Sequence, residues 1–258
     1  MGTKGSFGYK IGRKVRLMRV QYDADIFWQV LVREIYVLIK HYGSVESLKN
    51  VFENLIDAKN KPTKDAIEKC KVFTDLNVSN KDLTDWYCLT RHCQNSFINI
   101  LETGYFLNNG IKDDGFVFII DFNENNVRFY GTDWQNKTTE FEKATIDEIM
   151  EFEDMPTKSY VEIVSEMNSR YKSYYEKVEK VMAEIENINK IIKRAKELGS
   201  DQNILDKARI LLDEMDIEKM KLDAGYRFFY HRLEALNLID HSDAQDVQDA
   251  QDVKNTKK

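Results

Sequence analysis

The chain has 258 residues, of which 42% are hydrophobic and 12% aromatic, and its formal net charge is −6. This apolar content can fill a buried core and argues against a disordered chain. The negative charge argues against general nucleic-acid binding, which requires a cationic surface. The most apolar stretch, residues 26–39, is interrupted by charged residues and is too short to span a bilayer, so we predict no transmembrane segment.

The beginning of the chain alternates bulky residues with glycines at positions 2, 5, 8 and 12. This alternation predicts strands at residues 6–11 and 15–21, joined by a turn at Gly12-Arg13. Glycine accepts backbone conformations that other residues resist, and it allows strands to pack closely. We expect a buried β-hairpin at the centre of the N-terminal domain.

Helical periodicity dominates the next eighty residues. Apolar positions spaced by three and four predict a helix that is capped by Asp23 or Asp25 and ends near Tyr42. Because this helix is apolar on most sides, we expect it to be buried. Further helices are predicted at residues 44–56, 65–72 and 82–104.

Strand patterns return after residue 115. The segments 116–122 and 127–130 predict two strands joined by a turn, and a third strand is expected near residues 138–142. The spacing of Thr145 and Glu148 fits a capping box and predicts a short helix. Residues 1–156 are therefore expected to form an α+β domain, in which helices pack on a small, mostly antiparallel sheet.

A heptad pattern begins at a second capping box, residues 159–162. Apolar residues alternate by four and three over residues 160–195 and again over residues 205–236, with an interruption at Gly199-Ser200. Two matched helices joined by a short link predict an antiparallel, coiled-coil-like helical hairpin over residues 157–239.

Large tyrosines in the first heptad series do not suit a tight helical seam; they are Tyr171, Tyr174 and Tyr175. They indicate that part of the first helix packs on the N-terminal domain.

Residues 240–258 have low sequence complexity, with aspartate at every third position, and lack the apolar content to fold. We predict a disordered tail there.

The cysteines and histidines provide little support for catalysis. Cys70, Cys88 and Cys93 cannot all pair, and no signal-peptide pattern precedes them, so we expect a reducing intracellular compartment. Cys88 and Cys93 lie five positions apart on a predicted helix and point in different directions, and no second cluster supplies further metal ligands beside His92. Phosphate-loop, dinucleotide-binding and serine-elbow patterns are also missing. We assign no catalytic residue, no metal and no cofactor.

Three stretches of the chain stand out together: MGTKGSFGYKIGRK with the following YDAD, TDWYCLTR at 84–91 with Gln94, and FVFIIDFNENNVRFYG at 116–131. They resemble a family from large DNA viruses, fungi and phages whose members begin Met-Gly-Thr-Arg-Gly. The resemblance covers roughly residues 1–155 and implies no activity, since none is established for the family. Lys4 replaces the family's arginine, and Asp23-Ala-Asp25 stands where the family often has Asp-Ser-Tyr. The composition and the long coiled segment look most like a giant-virus member.

These patterns lead to three hypotheses for function. We favour a non-enzymatic intracellular interaction or assembly protein, in which the heptads of residues 160–236 drive self-association or dock a partner helix. A viral member of this kind would act in the host cytoplasm or the virion. An alternative is a hydrolase-like domain that binds a small ligand beside the glycine-rich start, near Thr3, Lys4, Asp23 and Trp86. The third is weak membrane attachment through myristoylated Gly2, because the first six residues fit the acceptor pattern and one acyl chain binds membranes only reversibly.

Overall fold

A five-stranded, mostly antiparallel sheet organises this α+β fold, seen in a computed structural model that describes residues 3–76, 78, 82–110, 115–132, 138–199, 202–222 and 232–238. The strands are β1 (Gly5–Ile11), β2 (Lys14–Val20), β3 (Ile56–Asp57), β4 (Tyr105–Phe106), β5 (Phe116–Asp121), β6 (Asn126–Thr132) and β7 (Thr138–Thr145). The large sheet has the order β2-β1-β5-β6-β7, and only β1 and β5 run parallel within it. The predicted fold class is confirmed.

The helices within the described ranges are α1 (Phe27–Tyr42), α2 (Val45–Glu53), α3 (Lys64–Cys70), α4 (Trp86–Leu89), α5 (Phe97–Thr103), α6 (Ile146–Met150), α7 (Tyr160–Glu197) and α8 (Gln202–Lys221). Short 3-10 turns lie at residues 24–26, 71–73 and 91–93. None of the helices that the structure describes is both long enough and apolar enough to cross a membrane.

The predicted β-hairpin at the start of the chain is present as β1 and β2, which pair antiparallel along their whole length. Gly12 turns the chain with a φ of 57°, in the left-handed region that favours glycine. Gly8 allows the two backbones to approach closely, because a Cβ there would lie 1.9 Å from the carbonyl oxygen of Arg16. The hairpin forms one side of the large sheet rather than its centre, since β2 is the last strand in the order.

Aromatic side chains fill the space between the sheet and its covering helices. The ring centroid of Phe7 on β1 lies 5.0 Å from that of Phe97 on α5 and 5.8 Å from that of Phe27 on α1. Nine of the 16 residues of α1 are buried, which confirms the prediction from its apolar composition. The helix therefore lies in the core, and both α1 and α5 pack directly on the sheet.

The predicted single helix over residues 82–104 is wrong. The structure has instead α4, a 3-10 turn and α5, with a sharp change of direction before α5. Asn95 adopts a φ of 68°, which an α-helix does not allow. Ser96 then caps the new helix by accepting a hydrogen bond from the backbone N–H of Asn99. Apolar spacing alone missed this break, because the spacing of apolar residues by three and four positions continues across it.

The predicted helix cap at Asp23 or Asp25 is also wrong. Asp23 has a φ of 60° and makes no side-chain capping hydrogen bond, and Asp25 lies inside the 3-10 turn. The α-helix begins at Phe27 after that turn. Both acidic side chains are therefore available for contacts other than helix capping.

The long helical hairpin is present as α7 and α8. The first half of α7 packs on the N-terminal domain, where the Tyr171 ring lies 5.6 Å from that of Phe73, as the large tyrosines predicted. The far half packs on α8 through Ile188, Ile192 and Leu205. The helix α8 ends at Lys221, so it contains only part of the second heptad series, which was predicted over residues 205–236. Residues 223–231 and the predicted tail at 240–258 lie outside the described residues.

Candidate functional site

Polar side chains converge at the turn between β2 and α1. The hydroxyl of Thr3 donates a hydrogen bond to the carboxylate of Asp25, and the backbone N–H of Ala24 donates to the Thr3 carbonyl oxygen at 3.2 Å. The antiparallel pairing of β1 with β2 explains this meeting, because it places the start of one strand beside the end of the other.

The opposite side of the same site comes from the turn that precedes α5. The Asn95 amide donates a hydrogen bond to the Tyr22 carbonyl oxygen at 3.1 Å. The Arg91 guanidinium lies 5.6 Å from the centroid of the Tyr22 ring and donates to the Gln94 side chain. We refer to Thr3, Asp23, Asp25, Arg91, Gln94 and Asn95 as the turn cluster. Its members are distant in sequence, and only the tertiary fold brings them together.

The backbone of the turn cluster is strained at two positions. Asp23 and Asn95 both have φ values in the left-handed region, at a cost of order 1 kcal/mol each. The Asn95 side-chain oxygen is buried and has no hydrogen-bond partner among the described residues. Strain and an unsatisfied buried acceptor at one place are typical of a functional site.

The charge of Asp23 is unfavourable in its environment. Partial burial raises the pKa of its carboxyl, the neighbouring Asp25 raises it further, and the positive charges of Arg232 and Arg91 oppose the shift. The folded chain therefore retains a proton on Asp23 to higher pH than the unfolded chain does.

Replacement of Asp23 with asparagine is expected to stabilise the protein near neutral pH by up to about 1 kcal/mol. Asparagine also tolerates the left-handed conformation. Because the pKa of Asp23 is raised in the folded chain, its ionisation destabilises the wild type as the pH rises above about 4. The stability gain of the variant should therefore vanish in acid, where the protonated Asp23 and the asparagine are both neutral. Urea unfolding at pH 3 and pH 7 measures this difference, with Asp213→Asn on the exposed side of α8 as the control. A loss of stability at pH 7 would contradict the assignment.

A buried carboxylate lies next to the turn cluster. Glu34 of α1 is fully buried and accepts hydrogen bonds from the Ser96 hydroxyl at 2.7 Å and from the backbone N–H of Phe97 at 2.6 Å. Burial raises the pKa of Glu34, while the charge of Arg232 and the hydrogen bonds oppose the shift. Glu34 thus joins α1 to the beginning of α5 and orients the turn before it. In the sequence, the one pattern that indicates a buried carboxylate of this kind is a glutamate among the apolar residues of a helix.

Burial shifts the pKa values of His92 and of two cysteines away from neutral pH. Burial lowers the pKa of His92 to about 3, so its imidazole is neutral and cannot act as a general acid or base there. All three cysteines are buried free thiols, and burial raises the pKa of Cys70 and Cys88 to about 12. A thiol with such a pKa is a poor nucleophile.

The predicted ligand residues separate into two groups. Thr3 and Asp23 lie in the turn cluster, and Lys4 lies beside it with an exposed side chain. Trp86 belongs to a different cluster, where its indole N–H donates to the Asn60 carbonyl oxygen and its ring lies 5.0 Å from Tyr105. Gly2 lies outside the described residues. Within the described ranges, no three His, Cys, Asp or Glu side chains are grouped so that they could hold a metal ion.

A second candidate surface lies at the end of the helical hairpin. Leu198, the residue directly after α7, lies seven positions after Ile191, and Leu211 lies seven positions after Ile204 on α8, so each pair lies on one side of its helix. All four side chains are exposed, and Leu198 is 82% exposed. We call these four residues the tip ridge. A groove of about 450 Å³, lined in part by Met182, Ala183 and Ile185, lies further along α7.

Comparisons with known proteins find no matching family model, no similar curated protein and no similar solved structure. The resemblance to the Met-Gly-Thr-Arg-Gly family therefore stays a prediction, and the turn cluster and the tip ridge are the two candidate sites of this chain.

Proposed function

We propose that this chain is a non-enzymatic interaction protein that assembles with a second copy through the tip of its helical hairpin. The observation that carries the proposal is the exposed tip ridge. The hairpin closes its own seam with other residues, including Ile188, Ile192 and Leu205, so the ridge is apolar surface beyond what the hairpin needs. Exposed apolar residues that group together are a mark of interaction sites.

The charge distribution favours a second copy as the partner. Residues 193–196 at the end of α7 include three exposed basic side chains, and residues 213–216 of α8 include three exposed acidic ones. Two hairpins that pack antiparallel can place the basic segment of one copy against the acidic segment of the other. α7 has 38 residues, a length of roughly 57 Å, which carries the tip well beyond the helix half that packs on the domain.

Glutamate at two ridge positions, Leu198→Glu with Ile204→Glu, is expected to abolish assembly, because it places charges in an apolar contact. Light scattering should give a wild-type mass above that of the monomer and a monomeric mass for the double variant. Val161→Glu, an equally polar change at an exposed position near the start of α7, should retain the wild-type mass. A wild-type chain that is monomeric at every concentration would overturn the proposal.

A small-ligand site at the turn cluster is the second candidate function. The buried side-chain oxygen of Asn95, which has no hydrogen-bond partner among the described residues, supports it together with the strained backbone of Asp23, since unsatisfied acceptors and backbone strain are typical of binding sites. The stability gain expected for Asp23→Asn tests this idea. If Asp23 served only to stabilise the fold, its replacement would lower the free energy of unfolding rather than raise it. The lack of a nucleophile with a lowered pKa among the three cysteines favours binding over hydrolysis.

We propose an intracellular location, in the host cytoplasm or the virion if the chain is viral. Three buried free cysteines support a reducing compartment. The viral origin rests on the family resemblance alone, and attachment through a myristoylated Gly2 rests on the acceptor pattern alone.

A further inference from the structure

A short segment near the end of the chain is buried in the N-terminal domain. Residues 232–238 follow α8 in the chain, and residues 232–235 form one helical turn. Leu233, Ala235 and Leu236 are buried in the same core as the sheet and α1, and the Arg232 side chain is only 4% exposed. The segment therefore lies in a cleft of the domain rather than on the hairpin.

The charges of the cleft complement those of the segment. Arg232 donates a hydrogen bond to the Gln94 carbonyl oxygen at 3.4 Å, and its positive charge acts on the buried carboxylate of Glu34 and the half-buried carboxylate of Asp23. Two residues further on, Glu234 forms an ion pair with Arg170 of α7 at 3.5 Å, and Arg170 also pairs with Glu166. The segment thus places a guanidinium near two acidic side chains and a carboxylate on an arginine of α7, with apolar side chains between them.

Glu34 has hydrogen-bond donors of its own within the domain. It receives hydrogen bonds from residues 96–98, at distances between 2.6 and 3.4 Å. The backbone N–H groups of residues 236–238 donate to carbonyl oxygens of residues 232–234, so these bonds lie within the segment. The side chains of Arg232, Glu234 and Leu236 make the contacts with the domain, as the side chains of a peptide do when it binds in a groove.

We propose that the cleft between α1, the turn before α5 and α7 is a peptide-binding groove for a short helical segment with an arginine followed by apolar residues. Residues 232–238 occupy this groove in cis and act as a latch that a segment of the same chemistry can replace. The groove selects the arginine with Gln94 and the carboxylates of Glu34 and Asp23. It selects the apolar residues with the core surface around α1.

A labelled peptide with the sequence of residues 231–239 tests the groove directly. Fluorescence anisotropy should show that it binds the full-length Leu236→Asp variant, whose own segment is weakened, at least about tenfold more tightly than the wild type, in which the latch competes. A peptide with glutamine in place of the arginine should bind the variant at least about tenfold more weakly. Equal affinity for wild type and variant, equal affinity of the two peptides, or no binding would each overturn the proposal.

Hydrogen exchange on the unmodified chain provides a second measurement if the Leu236→Asp variant fails to fold. The amides of residues 236–238 should exchange at least about tenfold faster than those of α1 and β5, because a latch opens without global unfolding. Exchange of residues 236–238 at the same rate as α1 would show that the segment is an integral part of the core, and the latch would then be excluded.

Discussion

Replacement of Glu34 with alanine is expected to lower the free energy of unfolding by about 3–5 kcal/mol. The change leaves the backbone N–H groups of Phe97 and Ile98 buried without their acceptor and removes a negative charge that faces Arg232. It also separates α1 from α5, whose contact builds one side of the turn cluster. Urea unfolding of the full chain measures the loss.

Glu53→Ala is the matched control, because Glu53 lies on an exposed face of α2. We expect that substitution to change stability by less than about 0.5 kcal/mol. If the two variants lose similar amounts, Glu34 does not cap α5.

Glu34 should also leave a signature in the pH dependence of stability. Because burial raises its pKa, the folded chain holds the Glu34 proton at pH values where the unfolded chain has released it. The contribution of this group is fully present below the ordinary glutamate pKa of about 4.3 and is lost as the pH rises through the folded value. The difference in stability between the wild type and Glu34→Gln should therefore shift in favour of the glutamine variant as the pH rises from 4 to 7.

The second large effect is expected at Gly8, where alanine should cost more than about 3 kcal/mol. The new Cβ would lie 1.9 Å from the Arg16 carbonyl oxygen and 3.0 Å from the Leu17 Cα, and both are backbone atoms of β2 that cannot move independently. β1 and β2 would have to separate. Denaturant unfolding measures the loss, and failure to obtain folded, soluble protein agrees with it.

Gly12→Ala separates steric clash from conformational strain within the same hairpin. No atom lies within 4 Å of a Cβ at Gly12, but its positive φ costs an alanine about 1–2 kcal/mol. We therefore expect a smaller loss than at Gly8. A Gly8 variant as stable as the Gly12 variant would show that the two strands can adjust to the added carbon.

The glycine-rich start thus has a structural explanation that does not require a ligand. Gly8 permits the close approach of two strands and Gly12 permits the turn between them. The candidate site begins instead at the lead-in to this hairpin, where Thr3 meets the turn at residues 23–25. A structural role for the glycines and a binding role for the neighbouring polar residues are compatible.

Local sequence patterns predicted most of the secondary structure. Alternation located β1, β2, β5 and β6, and the capping boxes at residues 145–148 and 159–162 marked the starts of α6 and α7. These signals are readable because each depends on residues within a few positions of one another. The burial of α1 was also predictable, since a helix that is apolar on most sides must be covered.

Only the tertiary structure determined which residues meet in the candidate site. Thr3, Asp23, Arg91 and Asn95 are close in space because strand pairing and the break before α5 bring three distant segments together, and no local pattern encodes that approach. The break was hidden because apolar spacing continues across it, whereas the Ser96 hydroxyl that follows the left-handed Asn95 donates to Glu34, a residue sixty-two positions earlier. Periodicity reports which faces of a segment are apolar, whereas a buried charge acts through partners that lie elsewhere in the chain. The sequence by itself therefore determined most of the elements and the burial of α1, and long-range packing determined where the polar groups of this protein meet.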